Sequence, residues 1–469
     1  MKIQALIYIL LLWSLSCTEA QYIAELLDYR PAPGQLINVS PWGTPAGARS
    51  IEGGVKGTLS LGAFGGYAVF RFEQAVENDP RNPYGVDFTI FGNPMPDWSE
   101  PAVVWVMKDE NANGKADDTW FELAGSDFWF SGTRKKYRVT YSNPGGSTAV
   151  DVPWEDQWGN SGIIRANSMY AQTYYPLHDS FPDIDPDHYT LEGTLLEGQV
   201  FEHASGISSV QRAFGYADNQ VRGAEPYTVP DNPYTREVEN SGGDAFDIAW
   251  AVDSSGSYVD LDQVHFIRVQ SGLLADGGRL GELSTELSGA VDIAPDNTLT
   301  GETDMVVIGD LPPTLEVNEY QLEVAVFRQG RIDPEETVQW TTSLVGAWID
   351  ENNILRISEE GPLTITAALR DRSEIRASVT TTVLLGQTGT NMFSGKHAIL
   401  YPNPTSGYFS LKDCHGLPLS IYDASGRPLL RIEEYAEGMV VDISSFPSGI
   451  YPVRIKKGRA LQWVKLVKR

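Results

Sequence analysis

The chain has 469 residues, 42% of them hydrophobic, and a formal net charge of −27. That length exceeds one ordinary domain, and the apolar content is enough for real cores. The charge argues against a nucleic-acid partner, because a phosphate backbone needs a basic face; it is compatible with cation binding and a self-repelling, soluble surface.

In chain order, Met1–Ala20 reads as a targeting segment. Lys2 gives the positive start, Ala5–Leu15 the apolar run, and Thr18-Glu19-Ala20 a small-x-small cleavage site before Gln21. The run is too short for a membrane span, and no later run reaches ~18 apolar residues. An exported chain without a transmembrane helix is therefore expected. Ser14-Leu15-Ser16-Cys17 is a poor lipobox, with Ser14 in place of the usual Leu, so ordinary cleavage is favoured over lipidation of Cys17. Cleavage after Ala20 leaves Cys414 as the remaining thiol and rules out an intrachain disulfide.

Residues 21–294 read as one large β module. Short runs such as Ala68–Phe72, Val86–Phe91, Tyr137–Tyr141, Phe246–Val252 and Val264–Val269 are rich in Val, Ile and aromatics and end at Gly, Asn and Pro clusters. Many short strands joined by some long loops predict an all-β, jelly-roll-like sandwich. Between Trp154 and Tyr234 the pattern weakens, and aromatics sit among Pro, Asp, Asn and Gly. Trp154, Trp158, Tyr174, Tyr175 and Tyr216 are candidates for a ligand surface, since aromatic faces stack on sugars or planar rings. The competing reading, that these rings fill a core beneath long loops, stands equally open.

The sharpest chemical signal lies between Val103–Met107 and Trp120–Leu123. Asp109, Asn111 and Asn113 occupy positions 1, 3 and 5 of a calcium-type loop, Gly114 the sharp turn at position 6, Lys115 the carbonyl position 7 and Asp117 position 9. Position 12 is Trp120 in place of the bidentate Glu of an EF-hand, so Asp118, Glu122 or a distant carboxylate has to close the site. A structural calcium ion is expected, against the alternative of an Asx-rich turn without metal. Asp183–His188, with His178 nearby, matches no ligand spacing and reads as a solvated acidic loop. No H-E-x-x-H, C-x-x-C or G-x-S-x-G motif occurs, and Gly53–Gly66 lacks the G-K-[ST] ending of a phosphate loop. No catalytic residue is identifiable, although 62 acidic residues leave a glycosidase-type carboxylate pair open.

Pro295–Leu311 reads as a linker. Residues 312–385 then show short strands at Tyr320–Phe327, Val338–Thr342, Ile354–Ile357, Leu363–Leu369 and Ala377–Val383. This stretch resembles the bacterial Ig-like domains that serve as spacers on surface proteins. Gly386–Lys396 is a second linker, rich in Gly and Thr.

The charge reverses at the C-terminal end: residues 392–469 carry 11 Lys and Arg against 6 Asp and Glu, a net +5, while the remainder is −32. So abrupt a change marks a separate module. Within it, at 396–469, stand Leu400-Tyr401-Pro402-Asn403-Pro404-Thr405-Ser406-Gly407, then Leu419–Arg427 with Gly426, then Val441–Ile455 with Gly449 and Tyr451. In order and position these blocks resemble the type IX secretion sorting domain of Bacteroidetes. The resemblance implies a small β-sandwich read by the secretion machinery and removed by a sortase-like protease, with release or surface attachment. Pro452 departs from the family, which has a bulky apolar residue there; lacking a ladder donor, its strand is expected at an edge or bulged.

The N-terminal module resembles a group of Bacteroidetes cell-surface proteins through Tyr29–Gly34, Gly62–Tyr67, Ser99-Glu100-Pro101, the loop from Asp109, Phe246–Asp253 and Gly281–Glu286. Some of that group sit beside outer-membrane uptake genes, including those for cobalamin. The sequence thus leads to a secreted or surface-anchored, calcium-stabilised protein that captures a glycan or a small nutrient such as a corrinoid. A glycan-active hydrolase and a structural or adhesive surface protein are the alternatives.

Overall fold

The computed structural model describes residues 21–384 and 399–469, apart from 198–199, 204–205, 225, 413, 423–426, 437 and 458–459. The targeting segment with Cys17, the linker at Gly386–Lys396, and Gly426 lie outside the described residues. The structure is almost entirely β, as the strand pattern predicts. No described helix is long and apolar enough to cross a membrane. Chain contacts divide it into two compact units, one holding nearly all of the chain up to Thr382 and the other built mainly from Val383–Arg469.

The first unit is built around a six-stranded sheet in the order Ala251–Val252, Trp120–Leu123, Ala102–Met107, Phe266–Ser271, Tyr67–Arg71, Glu25–Arg30, all antiparallel. Val103-Val104-Trp105-Val106-Met107 has no polar alternation because both faces of this sheet are covered. On one side Val104, Val106, Phe70, Ile267 and Val269 pack with Phe88, Ile90, Phe246 and Ala290 of a four-stranded sheet ordered Gln21–Tyr22, Gly289–Asp292, Phe88–Phe91, Asp244–Phe246. On the other side Tyr67 meets a second four-stranded sheet, ordered Ser161–Ile164, Val152–Asp156, Thr133–Ser142, His188–Leu196, and Tyr29 on the edge strand packs against both cores.

The segment read as a linker is not a plain connection. Asp304–Ile308 is a strand, paired from Asp304↔Arg328 to Ile308↔Val324. Val307, Ala325 and Phe327 belong to the main core, and the Phe327 ring meets Phe214 edge-on with centroids 5.0 Å apart. The Trp250 indole N–H donates to the Gln329 carbonyl at 3.0 Å. The stretch beginning at Asp304 is therefore seated on the β module by apolar burial. Farther along, Val338–Thr342 pairs with Gly361–Leu369 and Ile354–Ile357 with Glu319–Gln321.

The second unit has its own core, which includes Leu411, Leu419, Ile421, Tyr435, Val453, Ile455 and Leu466. Its larger sheet runs Pro428–Ile432, Leu419–Tyr422, Gly449–Lys457, Ala460–Lys468. The strand holding Pro452 is thus internal, which corrects the edge expectation. Pro452 is tolerated because pairing with Leu419–Tyr422 reaches only to Ile421↔Val453, so its missing donor falls just past that neighbour. The Cys414 thiol is buried and donates to the Lys412 carbonyl at 3.3 Å.

Candidate functional sites

The loop from Asp109 to Asp118 joins two adjacent strands of the central sheet, from Met107 to its partner Trp120. Gly114 has φ 72°, the left-handed turn that position 6 demands. Asp109 accepts the backbone N–H groups of Asn113 (3.1 Å) and Gly114 (2.8 Å), and the Asn113 carbonyl oxygen Oδ1 accepts the Lys115 N–H at 2.7 Å. Asn113 Nδ2 donates to Asp117. Asp118 accepts from the Glu110 N–H and from Asn111 Nδ2. All six sequence-predicted positions thus sit in one exposed, hydrogen-bonded loop whose donor set is all oxygen. Glu122 does not close it: this carboxylate is buried, accepts the Thr194 hydroxyl at 2.7 Å, and is pushed up to about 7 by burial.

The aromatic candidates divide. Tyr174 and Tyr175 fill the core beneath the outer four-stranded sheet, and Tyr216 is buried against Val103 and Leu196. These three are core residues and offer no ring face to a ligand. Trp154 is half-buried over that outer core and lies flat on Gly162, where a Cβ would come within 2.4 Å of its ring. Trp158 is 57% exposed. It stands on a turn held by one carboxylate: Asp156 accepts the N–H groups of Trp158 (2.9 Å) and Asn160 (2.8 Å), while its other oxygen accepts the Tyr137 hydroxyl at 2.9 Å. The Tyr137 ring lies 5.4 Å from that of Trp158, and the Arg134 guanidinium sits 5.6 Å from the indole. Burial opposes ionisation of Asp156, but these hydrogen bonds outweigh it and hold the carboxyl below its ordinary range.

On its other face the outer sheet turns polar side chains to solvent. Tyr137, Val139 and Tyr141 point into the core, so Arg138, Thr140 and Ser142 point out. They are joined by Glu155 and Gln157 on one side and His188 and Thr190 on the other, around a shallow groove of about 480 Å³. Thr140 and Thr190 share a hydroxyl contact of 2.8 Å, and Ser142 lies 3.3 Å from His188 Nδ1. Sequence reading did not single out this face, although the alternation in Tyr137-Arg138-Val139-Thr140-Tyr141 is its signal. A larger cleft of about 770 Å³ is lined by Phe201, Val210, Tyr234, Met305, Ile308 and Ile375 among others.

The described sorting-motif residues cluster in the second unit. Asn403 accepts the Val467 N–H through Oδ1 at 2.8 Å, Thr405 bonds Val467 and the turn through Gly407, and the Tyr451 hydroxyl donates to the Pro447 carbonyl at 2.6 Å. Tyr401 is exposed, with Pro402 and Pro404 following it in the same segment.

Residues 399–469 match the family model of the secretion system C-terminal sorting domain. No curated protein matches the chain in sequence. Solved structures with which it aligns include extracellular cadherin domains 1–4 of protocadherin gamma B7 (9% identity, 44% of this chain and 62% of that one, TM-score 0.14). A biofilm-associated protein BSP domain aligns at 9% identity over 99% of this chain and 70% of that one, TM-score 0.14. The dimeric latent PorU from Porphyromonas gingivalis aligns at 11% identity over 71% and 30%, TM-score 0.14. The chain thus spans less than two thirds of the protocadherin and PorU structures. The sorting domain makes this a chain exported to the cell surface or beyond it, through contact with the type IX secretion machinery.

Proposed function

We propose that this is a surface or secreted binding protein whose β module captures a glycan on the outer sheet, with the tail serving as its export address. The observation that carries the reading is Trp158: a large exposed ring packed on Tyr137, on a turn whose Asp156 and Gln157 also line the polar groove. An exposed aromatic face with adjacent polar side chains is the arrangement that stacks a sugar ring and bonds its hydroxyls. The stretch Asp304–Leu384 acts as an Ig-like extension of the module, and a sortase-like protease removes the tail on export.

The loop Asp109–Asp118 would hold calcium through Asp109, Asn111, Asn113, the Lys115 carbonyl, Asp117 and Asp118. The ion would neutralise three clustered carboxylates and brace the connection between two central strands. A second ligand reading, a small nutrient of the corrinoid class, is supported by the volume and apolar lining of the 770 Å³ cleft. Isothermal titration of the purified chain with a glycan panel and with corrinoids tests both. Binding abolished by Trp158→Ala supports the glycan reading, and binding indifferent to that change but lost on Tyr234→Ala supports the cleft.

A further inference from the structure

A separate set of carboxylates lies inside the β module, unused by the function above. Glu100, Asp218 and Glu286 are all buried, and one oxygen from each lies within 4.8 Å of the other two. Distant parts of the chain bring them together. Glu100 precedes the central strand Ala102–Met107, Asp218 follows Ala217, which pairs with Ala102, and Glu286 pairs with Ser60. Their positions are fixed by the backbone: Asn93 and Glu286 N–H groups each donate to Asp218 at 2.8 Å, and the Ser284 N–H donates to Glu100 at 3.0 Å. The Ser284 hydroxyl donates to Glu286 at 2.8 Å and contacts the Ser60 hydroxyl at 2.7 Å. Among the described residues, none of the three carboxylates forms an ion pair.

An independent observation lies at the border of this group. Glu282 is 3% exposed, and one of its oxygens, Oε1, accepts the Gln35 N–H at 2.7 Å. The other, Oε2, has no hydrogen-bond partner. The Glu282 carboxylate is wedged against Gly34, which abuts Gly62, and the Gly62 N–H faces the same Ser60 hydroxyl that touches Ser284. Glu282, Ser284 and Glu286 alternate along one extended segment, and the Ser284 N–H donates to Glu100. Burying four carboxyl groups this close, one with an oxygen that has no hydrogen-bond partner, is costly unless their charge is neutralised.

We infer that Glu100, Asp218 and Glu286 hold a buried divalent cation of the calcium class, with Glu282 Oε2 as a further oxygen donor directly or through water. Oxygens on opposite sides of calcium are about 4.8 Å apart, twice a bond of about 2.4 Å, and the three carboxylate oxygens fall within that span. Ser60 and Ser284 add neutral hydroxyl oxygens of the kind a hard cation accepts. The competing account is that Glu100 and Glu286 share a proton and no ion is held.

The full chain carrying Asp109→Ser and Asp117→Ser, which disable the surface loop, separates the two. It is dialysed against metal-free buffer after exposure to calcium, and retained metal is counted by mass spectrometry alongside calcium-dependent melting. One retained cation per chain and a rise in Tm on calcium addition are expected. Adding Glu286→Gln should lower the retained metal at least tenfold and abolish the rise. No retained cation and no rise in the loop double variant overturns the inference, and that count needs no variant of the buried group to fold. A Glu286→Gln protein that keeps its cation also overturns it. Under the shared-proton account Glu286→Gln would raise Tm in chelator and calcium alike. Wild type and the loop variants compared with each other test the surface loop separately.

Discussion

Asp156 and Trp158 are bound into one turn: the Asp156 carboxylate accepts the Trp158 backbone N–H at 2.9 Å, and its other oxygen accepts the hydroxyl of Tyr137, on whose ring Trp158 leans. The polar clamp and the exposed ring are therefore one device. Trp158→Ala should leave the Tm within a degree or two, because the ring is mostly in solvent, yet weaken glycan binding at least tenfold. Asp156→Ala should lose both binding and stability, since it frees two turn N–H groups and the buried Tyr137 hydroxyl, at a cost of about 1–3 kcal/mol. Titration and thermal melting of the two variants check the contrast.

The packing of Phe327 on Phe214, with the Trp250 bond to Gln329, predicts how the first unit unfolds. Phe327 is fully buried among residues of the main core. Phe327→Ala should cost about 3–5 kcal/mol by lost burial and the cavity left behind. If Asp304–Leu384 were only a tethered spacer, the variant would lower a minor transition and leave the β module's melt unchanged. With the core shared, calorimetry should show the main transition itself moving down.

Glu122 sets a pH dependence. Burial raises its carboxyl to about 7, while the Thr194 hydroxyl and the Lys135 charge pull the other way. An acid with a raised folded-state pKa contributes stability below its unfolded value, near 4.5, and that contribution is lost as pH rises through about 7. Wild type should therefore lose up to roughly 3 kcal/mol from this group between about pH 4.5 and about pH 8, since each tenfold change in proton affinity is worth about 1.4 kcal/mol. Glu122→Gln, which keeps the acceptor for Thr194, should flatten that part of the profile in urea melts run across the range.

Calcium at the surface loop has its own readout. In the full chain, calcium should raise the Tm, and Asp109→Ser should remove the part of the rise owed to the loop. An unchanged calcium response in that variant would leave Asp109–Asp118 as a turn held by its own Asx hydrogen bonds.

The features legible in the sequence are those written in neighbouring residues. The sorting blocks around Tyr401–Gly407 and Gly449–Tyr451 are local, and so is the strand chemistry of Val103–Met107. The oxygen spacing of Asp109–Asp118 is legible for the same reason. What escapes depends on partners far away in the chain. Val307 and Phe327 look like ordinary linker and spacer residues until the main core, with Phe214 against Phe327, takes them in. Tyr174, Tyr175 and Tyr216 look like Trp158 in the sequence; only the sheet above them makes them core. Glu100 and Glu286 lie in stretches that stand out for their resemblance, but nothing local places their carboxylates beside Asp218, which is 68 residues from Glu286 and farther still from Glu100.

The central claim is capture of a glycan at the cell surface by the outer sheet. Its most direct measurement is isothermal titration of the purified chain against a glycan panel, with Trp158→Ala beside it. The account predicts saturable binding of at least one glycan, reduced tenfold or more in the variant at unchanged Tm. Failure of the wild-type chain to bind any panel member, or binding that Trp158→Ala leaves intact, would contradict it.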